Sequence, residues 1–196
     1  LDAFDHLADG VIAAVSPPAG QQGTLVTISG VRLLGGGSEF VSVSLAGVPV
    51  LEFISGDDTD VVVRADASAA GQGDVVLTSD SGSIVKLESG WVYNDASVIS
   101  AVSPNSGQYG TEVVISGTNL LGASHGTKIT TVKLAGVEAE IISGTSQTEI
   151  TVIAQLNGDI EVGDVFVEAD SGAWVLSADA WTYVPAFAVE SITPAH

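Results

Sequence analysis

Nucleophilic catalysis needs a base held against a hydroxyl or thiol, and this chain offers few candidates. Cysteine is absent, and the only histidines are His6, His125 and His196. They lie near the start, in an inter-strand loop and at the last position, and none recurs when the two halves of the chain are aligned, so they read as surface histidines. Carboxylates are plentiful, 24 in all, but no spacing singles out a pair for acid–base hydrolysis. The densest cluster is Asp57, Asp58 and Asp60. Calcium takes six to eight oxygen ligands, and these three lack an Asp-x-Asp-x-Asp-Gly loop. A solvated acidic loop is the plainer reading and a Ca2+ site the sharper one; no other cofactor is suggested. The chain is expected not to be an enzyme.

The charge balance narrows the partners. Against the 24 acids stand five cations, giving a net charge of −19. Arg32, Arg64, Lys86, Lys128 and Lys133 are scattered, whereas duplex binding draws on several phosphate contacts, so nucleic acid is excluded. An anionic membrane surface is disfavoured by the same sign. No apolar run approaches the roughly 18 residues of a membrane span, so no membrane insertion is expected. Such acidity reads as solubility and mutual repulsion, or as a secreted protein that gathers cations. The chain opens on Leu1 rather than Met, as a processed chain or a fragment would.

The organising stretch is Val98–Gly117, VISAVSPNSGQYGTEVVISG, which Val11–Gly30 repeats as VIAAVSPPAGQQGTLVTISG. A shortened third copy, Val189–His196 (VESITPAH), breaks off where the others turn. A period of about 90 residues is that of a domain rather than a solenoid repeat. The expected organisation is therefore an N-terminal extension (1–10), domains at 11–94 and 98–184, and an orphan first strand at 185–196.

Within each domain, short alternating runs are separated by turn chemistry. Val26 and Ile28 share one face of a strand, as do Val113 and Ile115. Val43 and Leu45 match Val132 and Leu134, each run leading into an Ala-Gly-Val turn. Asp80–Gly82 and Asp170–Gly172 are both Asp-Ser-Gly, suited to tight hairpins in which glycine takes positive φ cheaply. Each domain ends on an aromatic pair, Trp91/Tyr93 and Trp181/Tyr183, whose members share one strand face. A buried Trp removes roughly 150–250 Å² from water, at most about 4–6 kcal/mol, so these are the strongest core positions. No run carries a convincing helical period. About seven short strands per repeat indicate an all-β chain of two tandem β-sandwiches. Asn94–Ser97 is too short a linker for independent tumbling, and a semi-rigid rod is expected.

The run Ile-x-x-Val-Ser-Pro, a nearby Gly, Gly-Thr and a β-run ending in Ser-Gly resembles the opening of an IPT/TIG domain. It is carried by Ile12–Gly30 and Ile99–Gly117, and Thr118-Asn119-Leu120 resembles the family's usual continuation, from which Val31-Arg32-Leu33 departs. The resemblance covers nearly all of residues 11–184 and implies an immunoglobulin-like sandwich. Family members in transcription factors use basic loops on DNA, and receptor members sit among cysteine-rich modules. Lacking both, the chain is most similar to the extracellular or cell-surface tandem-repeat type. This functional step is analogy from fold.

Three further expectations follow. No Asn lies in a glycosylation sequon, but Ser16, Pro17, Pro18, Ser103 and Pro104 are candidates for O-linked or hydroxyproline-linked sugar, unless the prolines simply end a first strand. The orphan strand bears Phe187, Val189 and Ile192 as candidate assembly residues, by truncation of a longer array or by strand addition to a neighbour. Their burial is worth roughly 5–9 kcal/mol gross against an association cost of about 4–15 kcal/mol. Assembly would thus need further surface, and would strengthen as salt screens the repulsion. The resulting expectation is a non-enzymatic structural unit of an extracellular fibre, filament or stalk, self-associating head to tail. The alternative is a carbohydrate-binding or spacer module of an adhesin or secreted enzyme, with Tyr109 and Trp174 as the spare platforms for stacking glycans.

Overall fold

The computed structural model describes residues 8–123, 125–157 and 161–185. The orphan strand with Phe187, Val189 and Ile192, most of the N-terminal extension, His6 and His196 lie outside them.

The described residues are strands and turns. Domain 1 comprises β1 (Val11–Ser16), β2 (Ala19–Gly20), β3 (Leu25–Val31), β4 (Phe40–Leu45), β5 (Val48–Pro49), β6 (Glu52–Gly56), β7 (Asp60–Arg64), β8 (Gly71–Ser79) and β9 (Ile84–Tyr93). Domain 2 repeats them as β10 (Val98–Ser103), β11 (Ser106–Gly107), β12 (Glu112–Thr118), β13 (Ile129–Leu134), β14 (Val137–Glu138), β15 (Glu140–Ser143), β16 (Glu149–Ile153), β17 (Val162–Ala169) and β18 (Trp174–Tyr183). Each domain is a sandwich of two sheets. In domain 1 the sheets run β1-β3-β7-β6 and β2-β9-β8-β4-β5, and domain 2 has the same order.

Local chemistry explains most of these elements. Val26 and Ile28 are fully buried while Thr27 is partly exposed, and Val113 and Ile115 repeat the pattern. The Ala-Gly turns place both central residues at positive φ, 50° at Ala46 and 80° at Gly47, the primed turn whose twist suits a two-residue hairpin. Gly82 and Gly172 both sit at φ 81°, as the Asp-Ser-Gly hairpins require. The prolines at 17 and 104 mark a change of sheet. After them the chain leaves its antiparallel partner β3 or β12 and pairs in parallel with β9 or β18.

Two strands have no signature in the residue pattern, β6 and β15. Every residue of β6 is exposed, so no buried face imposes an alternation. They are edge strands, held by backbone pairing with β7 and β16.

The cores close over the aromatic pairs. Trp91 and Trp181 are fully buried and Tyr93 and Tyr183 nearly so. Each pair meets edge to face, with ring centroids 5.7 Å apart in domain 1 and 5.6 Å in domain 2, the geometry that ring quadrupoles favour. Truncating an indole there removes the wedge between the two sheets. Trp91→Ala or Trp181→Ala is expected to cost about 3–5 kcal/mol in its own domain, read as a lower urea midpoint for that domain's transition.

Candidate functional site

The acidic loop is an anchored turn. The Asp57 carboxylate accepts the Thr59 amide (2.7 Å), the Thr59 hydroxyl (2.8 Å) and the Asp60 amide (2.9 Å), and these bonds, the Thr59 amide first, hold its pKa below the usual carboxylate range. Asp58 accepts the Leu34 amide at 2.9 Å, and Asp60 accepts the Ser29 hydroxyl at 2.7 Å. Domain 2 puts neutral residues, Ser146 and Gln147, in the places of Asp57 and Asp58. Ser146 accepts the Thr148 and Glu149 amides, and the Gln147 amide oxygen accepts the Leu121 amide at 3.1 Å. A neutral residue filling the equivalent role identifies Asp57 and Asp58 as loop anchors. Among the described residues no group of three or more His, Asp or Glu is placed to hold a metal.

Asp80 and Asp170 are anchors that sequence reading took only as turn residues. Asp80 binds the Ser38 hydroxyl (2.6 Å) and amide (2.8 Å), and Asp170 binds the hydroxyl and amide of Thr127 in the same way. Both carboxyls are held below their ordinary pKa, chiefly by those hydroxyls. Their recurrence in both repeats was the available signal.

Of the glycan candidates, Tyr109 is 63% exposed. Trp174 is not free. It stacks on Phe166 at 5.8 Å and abuts domain 1, so its expected role as a spare platform is corrected by the interface that occupies it. Ser16, Pro18, Ser103 and Pro104 are exposed and Pro17 is partly buried. Ser16, Pro17 and Pro18 line an inter-domain cleft of about 350 Å³ together with His125 and Asp170. Domain 1 has a cleft of about 280 Å³, where Phe40 and Phe53 meet at 5.9 Å.

The most elaborate site is the junction of the two domains. The tip of the β17–β18 hairpin rests on the turn between β2 and β3. The Leu25 amide donates to the Ser171 carbonyl at 3.0 Å, and the Trp174 amide donates to the Gln22 carbonyl at 3.3 Å. Gly23, at φ 86°, lies against Trp174, where an added Cβ would be 2.2 Å from Cδ1 of the indole. Arg64 closes the contact by donating to the carbonyls of Gly23 (3.0 Å) and Gly172 (3.4 Å), with Glu168 3.8 Å away and Glu52 3.3 Å away. The linker is tied down as well. The Gln21 side-chain amide donates to the Ser97 hydroxyl, which donates to the Asn119 carbonyl at 2.5 Å. Neither domain lacks its first strand, since β1 pairs with β3 and β10 with β12. A strand donated by a neighbour would therefore have to add at an edge.

These features define a pair of tandem immunoglobulin-like sandwiches. The IPT/TIG domain family matches residues 11–91 and 97–183, and the chain belongs to that family. A search of curated proteins found no match. Among solved structures, the full extracellular region of Plexin A4 (domains 1 to 10) is similar at a TM-score of 0.50 and 20% identity. That match covers 90% of this chain and 16% of the plexin chain, a likeness of fold. A surface protein, SGBP-B, from a complex xyloglucan utilization locus in Bacteroides uniformis aligns at 14% identity and a TM-score of 0.36, over 89% of this chain and 49% of that one.

The anchors generate a pH dependence. The folded pKa values of Asp80 and Asp170 lie below their unfolded values of about 3.9, so their contribution is present above pH 4 and is lost as pH falls through the folded values. Urea midpoints should drop between pH 5 and pH 2, and Asp80→Asn with Asp170→Asn should flatten that acid limb while lowering the midpoint at pH 7.

Proposed function

We propose that the chain is a non-enzymatic structural segment of an extracellular or cell-surface protein, a rigid two-domain unit that repeats head to tail in a fibre, filament or stalk. The observation that carries this reading is the locked junction. A spacer that must hold length or orientation requires such a fixed junction. Inter-domain contacts within a chain are usually small and permissive of motion. Here backbone hydrogen bonds, a glycine seat and an arginine clamp oppose that motion from both sides of a four-residue linker. The net charge of −19 keeps such units apart at low ionic strength and lets screening bring them together.

The test is orientational. Residual dipolar couplings of the intact chain should fit one alignment tensor for both domains. Arg64→Ala combined with Trp174→Ala should split it in two while each domain's own couplings persist. Two tensors in the unmodified chain would remove the rigid-spacer reading.

A second reading, a carbohydrate-binding module, is favoured by the Phe40–Phe53 cleft, because exposed aromatic faces suit the apolar faces of sugar rings. Phe53 is 46% exposed there, and domain 2 has Ile129, 4% exposed, in the place of Phe40. A glycan array should then return ligands whose signal falls at least tenfold in Phe53→Ala; an array without a binder would end this reading.

A further inference from the structure

The junction between the domains uses one face of domain 1 and one hairpin of domain 2. Because the domains are repeats, each also carries the half that the other uses. Domain 2 has the seat, the turn from Gln108 to Glu112 between β11 and β12, matching Gln21–Leu25. Domain 1 has the hairpin tip, Asp80–Ile84 between β8 and β9, matching Asp170–Trp174.

Burial marks which halves are engaged. In the junction Gln21 is 2% exposed and Gly23 is buried, whereas Gln108 is only partly buried and Gly110 is exposed. Gly172 and Ala173 are buried, whereas Gly82 is exposed and Ser83 partly so. A Cβ at Gly23 or Gly172 would strike the facing domain within 3 Å, and one at Gly110 or Gly82 would meet nothing within 4 Å. The backbone is already shaped for docking: φ is 86° and 81° at the engaged glycines and 83° and 81° at the free ones. Two large apolar side chains stand out at the free halves, Tyr109 at 63% and Ile84 at 66% exposure.

We propose that the free seat and the free hairpin mate between copies, the Asp80–Ile84 tip of one chain docking on the Gln108–Glu112 turn of a second. This rests on the structural-repeat reading and names its assembly surface. The contact repeats the internal one through the backbone. The Glu112 amide takes the role of the Leu25 amide and donates to the Ser81 carbonyl, and the Ile84 amide donates to the Tyr109 carbonyl as that of Trp174 does to Gln22. Main-chain hydrogen bonds survive sequence change, which is why strand-edge contacts tolerate it. The side chains are compatible too. The Arg64–Glu168 pair becomes Ile153 and Thr78, Glu112 takes the place of Leu25, a position that stays 39% exposed in the internal junction, and Ile84 packs beside Gly110 where Trp174 packs beside Gly23. Since the seat and hairpin belong to opposite domains, the contact is heterologous and propagates head to tail. It lacks the linker that holds the internal pair at an effective concentration of the order of mM, so free association is weak and favoured by crowding and salt.

The absence of cysteine makes a cross-linking test clean. The chain carrying Tyr109→Cys and Ile84→Cys is oxidised at about 1 mM, near that effective concentration, in high salt. The expected result is a ladder of disulfide-linked dimers, trimers and higher forms, appearing at least tenfold faster than for a control pair at exposed Ile54 and Leu156. Adding Gly110→Trp, which fills the seat, should return the rate to the control. A ladder no faster than the control overturns the proposal, as does a ladder unaffected by Gly110→Trp. Cross-linking confined to a covalent fusion of two copies would also overturn it, pointing to the next repeat of one polypeptide. If the dipolar couplings meanwhile show one rigid body, the spacer reading stands and only the assembly surface falls.

Discussion

Each sandwich is held by one wedge, an indole and a phenol on alternate positions of the last strand, closing the gap between two sheets. Trp91 and Trp181 are fully buried in core clusters that draw on both sheets of their domains. Their indole nitrogens and the hydroxyls of Tyr93 and Tyr183 are buried, with no hydrogen-bond partner among the described residues. Burial, with the Asp66 carboxylate, pushes the Tyr93 hydroxyl up to about 12, so the ring stays neutral across the ordinary pH range.

Around that wedge, loops are fastened by oxygen acceptors that catch backbone amides. Asp74 and Asp164 catch the amides of Ser89 and Asp179, residues that sit at positive φ, 51° and 52°. Asp80 and Asp170 fasten the hairpin tips to the loops before β4 and β13. Much of the acidity that looks like ligand chemistry is thus spent on the chain itself. Surface carboxylates bonded to amides lose little hydration and gain charge-assisted bonds.

The hairpin fastened by Asp170 is the one that docks on domain 1. Loop anchoring and domain docking are therefore one mechanical unit: Asp170 sets the tip, Gly172 lets it approach, and Arg64 binds the approaching carbonyls. The same hairpin thus carries both the anchor within domain 2 and the contact with domain 1.

Much of this was legible in the residues. The period of the repeat, the alternation of Val26 with Ile28 and of Val43 with Leu45, the glycines of the hairpins and the aromatic pairs all act locally. Each has a side-chain pattern that water and backbone geometry alone interpret. The edge strands β6 and β15 were hidden because an exposed strand has no face to write a period on. The roles of Asp57, Asp58 and Asp80 were hidden because a carboxylate looks the same whether it meets a cation or an amide. The sequence by itself thus determined two sandwiches, their cores and their turns. Only the tertiary structure decided how they join, because Gln22 meets Trp174 through main-chain atoms and a bare glycine, which carry no side-chain signal across that span of chain.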